Sequence, residues 1–583
     1  MPQGTTVAEL AEKGLAPGLM SAGLGSVPPE QTYLDITQGN RVFDSLYDSP
    51  LPPLGADCAA WPAVIRRADS APADIVPGLL QSDLRAAGLR VRSDACIVTA
   101  PAMPDRASAL DHTRVGKTAE ATGDLVVGRA SLGGLGRGVG RLRGGDLLIA
   151  IERAPPEAGR ALTIGIAGRG FDGELTSDST RLDGYVLATD VAPTILERLG
   201  VDVPAEMSGR PIRAEGAVDV AAIESLGDRM AAIPDRRGPV IGFALLAWIV
   251  ALALAAVLGG GRAARPAVRM LALAIVYLPL VLLLGAAFDA GTGVEQLLVI
   301  LGAPALAAAT LAALGGYRAL GFASAATVLA YAVDMVAGSP LTSLSLLGPN
   351  PGLGVRFYGI GNELEALLAV LVIAGTGSAL AGFRPSMAPR PAAAVFLGVG
   401  LLAAFVFAAG RFGADVGAAI VFPLGAAVAA AVLAASSRRV ALLIVATPIL
   451  AVAALAAVDL LSGADAHLTR SVLDAGGLGD LAEVAQRRLQ LSAHSFSRPI
   501  VFVFLPLILA VVVLAFVWRR QIAGWLAPRP AVRAGLAGAL VATVAGTLAN
   551  DSGALLLEIG SAYLLVFLGY AWAETTDTSG RYP

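Results

Sequence analysis

Residues 239–259 read PVIGFALLAWIVALALAAVLG, a stretch without a single charged side chain. Its length is close to the ~20 residues that an α-helix needs to cross the hydrocarbon core of a bilayer. Ten similar stretches follow it, and they predict an all-α, multi-pass membrane domain. The eleven predicted spans are 239–259, 270–288, 296–315, 319–337, 359–381, 391–410, 414–435, 440–461, 499–518, 531–549 and 553–573.

The composition separates this membrane half from a first part that is soluble in character. Of the 583 residues, 55% are hydrophobic and 15% are charged, against about 25% charged residues in ordinary globular domains. Residues 1–237 carry 31 acidic and 24 basic side chains, whereas the remainder carries 15 and 19. No basic block stands out, so we expect membrane lipids and not nucleic acid as partners. The predicted domains are 1–237 and 238–576, followed by a tail at 577–583.

The arginines set the predicted orientation, because cytoplasmic loops are enriched in basic residues. Six arginines lie in the loops after even-numbered spans, and twelve lie in the loops after odd-numbered spans. We therefore expect residues 1–237 on the outer face of the cell membrane, the tail in the cytoplasm, and an outer interfacial loop at 463–498. The twelve are Arg262, Arg265, Arg269, Arg318, Arg384, Arg390, Arg438, Arg439, Arg519, Arg520, Arg529 and Arg533.

The start of the chain does not supply the export signal that this orientation needs. Residues 1–25 contain no basic segment followed by an apolar one, which a secretory signal peptide would have. A folded domain of this size does not normally cross a membrane without such a signal. The sequence leaves two explanations, an inverted topology or a natural start upstream of Met1, and we favour the second.

Residues 1–237 alternate short apolar runs with helical segments. This alternation predicts an α/β sandwich around a mainly parallel sheet. Both cysteines, Cys58 and Cys96, lie in this part, and the sequence leaves open whether they form a disulfide. The strand-like runs are Ala95–Thr99, Asp124–Gly128, Asp146–Ile151, Leu162–Ala167 and Tyr185–Ala188.

One motif near the end of this part carries a family resemblance. It runs from TDVAPTIL at 189–196 to MSGRPI at 207–212. It resembles the C-terminal part of the alkaline phosphatase/sulfatase superfamily, where a T-D-x-x-P-T-(I/L)-L helix start precedes a later G-R-(P/S)-(I/L). The resemblance implies an alkaline-phosphatase-like fold for residues 1–237. Asp190 is expected to cap the helix that Pro193 begins.

The superfamily's catalytic residues have no clear counterparts here. Its enzymes hold one or two metal ions with Asp and His ligands, but the strand Asp146–Ile151 runs into Glu152 and His112 is the sole histidine before residue 238. An opening strand ending in a metal-binding Asp is also not found, so the fold is predicted to be incomplete at its N-terminus. No metal or other cofactor is assigned, although a divalent metal is not excluded.

A candidate nucleophile lies in a loop near the start of the chain. Ser26, followed by Val27-Pro28-Pro29, resembles the (Cys/Ser/Thr)-x-Pro segment that holds the nucleophile in the superfamily. A Gly/Ser/Pro loop leading into a helix explains the same residues without catalysis. We therefore expect a degenerate domain, a pseudoenzyme that binds or presents a molecule.

Polar residues within or beside the predicted spans form a second set of candidates, because charge in a bilayer is costly and usually functional. Most lie near the predicted outer face, where we expect a pocket. Arg411 with Asp415, and Asp551 with Glu558, have spacings that fit one helix face. Catalytic or metal-ligating roles are assigned to Glu363, Asp415 and Asp551. Substrate binding is assigned to Arg356, Tyr358, Asn362, Arg411 and Asn550. Three further polar residues are expected to be buried in the membrane, Asp334, Glu365 and Glu558.

Three of these stretches have a further resemblance. YGIGNE at 358–363, FGADVG at 412–417 and NDSG at 550–553 look like segments of a functionally uncharacterised group of bacterial membrane proteins with an N-terminal phosphatase-like domain. So does the segment 483–491, which reads as an amphipathic helix at the interface. This resemblance implies the architecture and assigns no reaction.

These observations predict a bacterial envelope protein that handles an anionic lipid or a lipid-linked glycan at the outer leaflet. The alternatives are a transporter or flippase that uses the same carboxylates, and a non-catalytic envelope scaffold. A transporter usually also has an internal repeat, and the sequence shows no convincing one. The substrate and the oligomeric state cannot be read from the sequence.

Overall fold

The computed structural model describes residues 1–54, 59–71, 73–93, 124–155, 161–288, 291–349, 351–434, 501–550 and 552–575, with short pieces between 446 and 497. The described chain divides into two compact units. The first unit comprises Met1–Ile233 together with Asn350–Phe357, and the second comprises Pro234–Pro349 with Tyr358–Pro583. The first boundary lies four residues before the predicted one, and a short segment of the membrane half belongs to the first unit.

The first unit is built on a four-stranded sheet. The order of its strands is Leu147–Ile151 (β4), Leu162–Gly168 (β5), Ala16–Ser21 (β1) and Tyr185–Leu187 (β7). Its core includes Met20, Leu162, Ile164, Ile166 and Val186, all buried. The strands of the unit are β1 Ala16–Ser21, β2 Val91–Ser93, β3 Leu125–Val127, β4 Leu147–Ile151, β5 Leu162–Gly168, β6 Glu174–Thr176, β7 Tyr185–Leu187 and β8 Arg213–Glu215. Its helices are α1 Val7–Glu12, α2 Pro29–Gln38, α3 Trp61–Asp69, α4 Leu79–Ala86, α5 Leu132–Val139 and α6 Val191–Arg198.

One expectation about this sheet is wrong for the described residues. The sheet is mixed and not mainly parallel, since β1 pairs in parallel with β7 while the β1–β5 and β4–β5 pairs are antiparallel. A fully buried strand, β1, also exists where no opening strand was predicted, and it ends in Ser21. Pairing direction depends on contacts between distant segments, which the local pattern of strands and helices does not contain.

The second unit is helical. Eight helical segments among the described residues are long and apolar enough to cross a membrane, and two of them lie within Val220–Ala287. The count is nine if the bent pair Ile508–Val517 and Arg519–Leu526 is one span. These helices fit a multi-pass membrane protein; the predicted eighth span, 440–461, lies almost wholly outside the described residues. The helices are α7 Val220–Ala287, whose residues up to Ile233 belong to the first unit, α8 Thr292–Leu297, α9 Ala303–Ala313, α10 Gly316–Val336, α11 Asn362–Phe383, α12 Pro389–Ala408, α13 Ala418–Ala434, α14 Val501–Val517, α15 Arg519–Leu526, α16 Pro530–Ala549 and α17 Gly553–Ala573.

Helices α11, α13 and α16 pack closely in the second unit because small residues line their contacts. A Cβ on Gly538 would lie 2.3 Å from the carbonyl oxygen of Gly425, and one on Gly377 would lie 2.5 Å from that of Ala531. The start of α11 meets the end of α16, where Glu365 contacts Asn550. Helix α16 is therefore antiparallel to α11. The start of α11 and the end of α16 lie at the same end of the helix bundle.

Candidate functional site

The end of strand β1 in the first unit is filled by an arginine and by the chain's own segment 351–357. Arg41 donates from Nη1 to Ser21 Oγ and to the Gly23 carbonyl, both at 3.3 Å, and from Nη2 to the Gly354 carbonyl at 2.7 Å. A Cβ on Gly354 would lie 2.1 Å from the Gly23 carbonyl oxygen. Only glycine therefore fits this close approach, and the segment closes over the strand end.

Asp35 interacts electrostatically with this arginine. Its Oδ1 accepts hydrogen bonds from the side-chain amides of Gln31 at 2.7 Å and Gln38 at 3.0 Å. Burial raises the pKa of Asp35 to about 7, and the amide of Gln31 and the charge of Arg41 oppose that rise. Asp35 thus belongs to an internal hydrogen-bond network.

In the motif at 189–212, the buried carboxylate of Asp190 joins neighbouring segments of the first unit by hydrogen bonds. The carboxylate of Asp190 accepts from Ser177 Oγ at 2.7 Å and Ser179 Oγ at 2.6 Å. It also accepts from the backbone N–H groups of Leu187 and Arg210, both at 2.9 Å. Asp190 occupies the N-cap position of α6 as expected, but its side chain makes no capping hydrogen bond, because its four donors lie outside this helix.

The residues of the first unit do not fit the metal centre that the resemblance implies. Strand β1 ends in Ser21, next to the cationic Arg41, and not in an Asp. Glu152, which follows β4, is fully buried, and its two oxygens accept from the N–H groups of Gly4 and Thr163. The described residues contain no group of three or more His, Cys, Asp or Glu side chains placed to hold a metal ion.

The structure describes the candidate nucleophile Ser26 but not the two cysteines. Ser26 is exposed in the loop between β1 and α2. Cys58, Cys96 and His112 lie outside the described residues, so the question of a disulfide stays open. The buried hydroxyl at the end of β1 belongs to Ser21 and not to Ser26.

In the second unit, the YGIGNE and FGADVG motifs meet through their backbones. The N–H of Ile360 donates to the carbonyl of Gly413 at 3.0 Å. Gly359 has φ +78°, and a Cβ on it would lie 2.0 Å from the same carbonyl oxygen. The N–H of Gly359 donates to Ser339 Oγ at 3.0 Å. The glycine at 359 is therefore required both by its conformation and by this contact.

The third motif joins the other two through a carboxylate–amide contact. Asn550 Nδ2 donates to Glu365 Oε2 at 2.9 Å, although the two residues are 185 positions apart. A Cβ on Gly417 would lie within 2.7 Å of both side chains, at 2.6 Å from Asn550 Nδ2 and 2.7 Å from Glu365 Oε2. Glu365 is fully buried and Asn550 is 5% exposed. All three motifs thus converge at the start of α11 and α13 and the end of α16, which we call the polar end.

Two acidic candidates near this end stabilise the local backbone. Asp415 Oδ1 accepts from the N–H of Ala418 at 3.1 Å, at the start of α13. The carboxylate of Asp334 accepts from the N–H groups of Leu341 at 3.0 Å and Thr342 at 2.9 Å. These contacts give both residues a structural role that the sequence analysis did not assign to them.

The expectation that Arg411 and Asp415 share a helix face is wrong. Helix α12 ends at Ala408 and α13 begins at Ala418, and Ala414 between them has φ +52°, outside the helical region. Arg411 is exposed in this loop. Loop geometry, and not helical spacing, therefore sets the distance between the two side chains.

The remaining candidates lie at the start of α11 or elsewhere. Glu363, with 29% of its side chain exposed, forms an ion pair with Arg237 at 3.6 Å. Tyr358 and Asn362 are half-buried in the second unit. Arg356 belongs to the first unit.

Comparison with known proteins does not assign the chain to a family. No family model, no curated protein and no solved structure matches it. The functional conclusions therefore depend on the sequence and on the geometry of the described residues.

Sequence reasoning missed two serines at the polar end. Ser492 Oγ donates to the Thr547 carbonyl at 2.6 Å, and Ser495 Oγ accepts from the N–H of Ala554 at 3.0 Å. Both belong to the predicted interfacial loop 463–498, most of which lies outside the described residues, as does Asp551. Only a prediction that this loop folds back onto the end of α16 would have identified them.

Proposed function

We propose that this chain is a multi-pass bacterial envelope membrane protein that binds the head group of a lipid-linked glycan at the polar end. Carboxylate and carboxamide groups together accept and donate hydrogen bonds, which suits hydroxyl-rich sugars. Exposed Arg411 supplies a cation for the phosphate that links glycan and lipid. In the proposed orientation, this end faces the outer leaflet.

The contact between Glu365 and Asn550 carries the proposal. Polar side chains buried between membrane helices are costly and are usually retained for function. Glu365 and Asn550 come from segments that are distant in sequence, and they meet beside Gly417 of a third segment. The three segments would together form the base of the binding site. Tyr358, Asn362 and Glu363, which are half-buried or partly exposed at the start of α11, would form its rim.

The first unit is proposed to be a phosphatase-like domain that serves binding or anchoring and not hydrolysis. Two observations support this role. The end of β1 is closed by the segment that contains Gly354, and the ring of Phe357 packs 5.3 Å from that of Tyr185. In the motif that resembles the superfamily's, the carboxylate of Asp190 is occupied by hydrogen bonds from neighbouring residues of the first unit.

A substitution that removes only the charge tests this function. Glu365→Gln keeps an acceptor for Asn550, and we expect it to weaken binding of a polyprenyl-pyrophosphoryl disaccharide by about tenfold or more, because hydrogen bonds to charged groups are the stronger ones. Native mass spectrometry of the full chain in detergent would count the bound lipid. Polyprenyl phosphate without sugar is the reference ligand.

The control is Ser378→Ala in the same helix, since Ser378 Oγ is buried and donates only within α11, to the Ala374 carbonyl. We expect this variant to bind like the wild type. Equal binding by Glu365→Gln and the wild type would contradict the proposal. So would a wild type that binds the two lipids equally well.

A transporter or flippase is the second candidate, and Glu558 favours it. This half-buried carboxylate lies on α17, within a candidate membrane span. Its Oε1 is buried and has no hydrogen-bond partner among the residues that the structure describes. Carboxylates at such positions can carry protons in transporters.

A further inference from the structure

A second group of charges lies at the other end of the same helices. The end of α11, the start of α12, the end of α13 and the start of α16 surround a pocket of about 150 Å³. Arg384, Arg529 and Arg533 line it, and none of the described residues in its wall is acidic. Apolar side chains complete the wall, among them Leu380, Val432 and Leu433. The pocket thus combines a cationic rim with a membrane-compatible interior.

The charge of this pocket is not neutralised by its surroundings. The arginines are exposed, and no ion pair of Arg384 or Arg533 occurs among the described residues. Glu574 is the acidic group that interacts with Arg529. Its carboxylate is already paired with Arg269 at 2.7 Å. An anion entering the pocket therefore meets an excess of positive charge.

The size of the pocket limits what it can hold. A volume of about 150 Å³ is below the about 300 Å³ at which pockets for drug-sized ligands begin. The pocket therefore suits a group as small as a phosphate. Guanidinium groups recognise phosphate oxygens through paired hydrogen bonds.

We infer that the pocket lined by Arg384, Arg529 and Arg533 binds the phosphodiester of an anionic phospholipid. The apolar wall favours a lipid over free phosphate, because acyl chains can continue along Leu380, Val432 and Leu433. Basic pockets between membrane helices bind anionic head groups in this way. The site lies at the opposite end of α11 and α16 from Glu365 and Asn550, and it does not depend on the proposed glycan site.

The test uses the full chain purified in a neutral detergent with phosphatidylglycerol or phosphatidylcholine added in equal amounts. Native mass spectrometry would count the lipids retained. We expect the wild type to retain phosphatidylglycerol preferentially. Changing Arg384, Arg529 and Arg533 together to Gln should lower that retention by about tenfold or more, because each arginine near a lipid head group contributes about fivefold.

The matched control removes the same charge from arginines that do not line the pocket, Arg390, Arg519 and Arg520. We expect retention within about twofold of the wild type for this control. The single variant Arg533→Gln, expected to lose about fivefold, serves if the triple variant does not fold. Equal losses in the control and the pocket variant, or no preference for phosphatidylglycerol, would overturn the inference. Displacement of the lipid by inorganic phosphate alone would overturn its assignment to a lipid.

Discussion

Gly359→Ala is expected to destabilise the second unit by about 3 kcal/mol or more, since a strained backbone and a steric clash add at this position. Gly359 has φ +78°, and an added Cβ would lie 2.0 Å from the Gly413 carbonyl oxygen. Relief of that clash would break the hydrogen bond from the Ile360 N–H to the same oxygen. The YGIGNE and FGADVG motifs would then separate, and binding at the polar end would be lost.

Thermal unfolding of the full chain in detergent measures the loss of stability. Native mass spectrometry of the retained lipid measures the loss of binding at the polar end. Gly398→Ala is the matched control, because Gly398 lies inside α12 and an added Cβ meets nothing within 4 Å. Alanine at a helical position should leave stability unchanged or raise it by up to about 1 kcal/mol. A Gly359→Ala protein as stable as Gly398→Ala would show that the two motifs do not depend on this contact.

Asp190→Ala is expected to unfold the first unit under mild conditions, with a loss of about 3 kcal/mol or more in the free energy of unfolding. The substitution removes the acceptor of two hydroxyls and of the backbone N–H groups of Leu187 and Arg210. Asp190 is fully buried, so water does not replace the lost acceptor without opening the core.

Pulse proteolysis of the full chain would report this loss through cleavage within residues 1–233. The control is Asp178→Ala, whose carboxylate is 72% exposed and lies 3.9 Å from Arg213. Such a surface pair contributes about 0.5 kcal/mol or less. If the two variants were equally resistant to protease, the motif at 189–212 would not be the structural support described above.

The membrane helices could be predicted from the sequence because each needs only a long local run of apolar residues. The predicted span 553–573 coincides with α17, and 531–549 differs from α16 by one residue. Strand β1 was missed because its sequence, APGLMS, contains proline and glycine and shows no alternation. Its place in the sheet comes from pairing with β5, more than 140 residues later.

The candidate site could be predicted only in part for the same reason. The three motifs were recognisable as polar sequences at the ends of apolar runs, and the structure brings backbone or side chains of all three together. Which atoms meet was not predictable, since the Glu365–Asn550 contact spans 185 positions. The local role of Asp415 could have been predicted, because its carboxylate accepts a hydrogen bond from the N–H of Ala418, only three residues later.

Photo-crosslinking in native membranes would test most directly whether the polar end is the working site. A benzophenone amino acid would replace either Tyr358, at the start of α11, or Phe383, the last residue of α11 and 47% exposed. Crosslinking from position 358 to a sugar-bearing lipid, and from position 383 only to ordinary phospholipids, is the predicted result. The same set of lipids at both positions, without a sugar-bearing one at 358, would contradict the account.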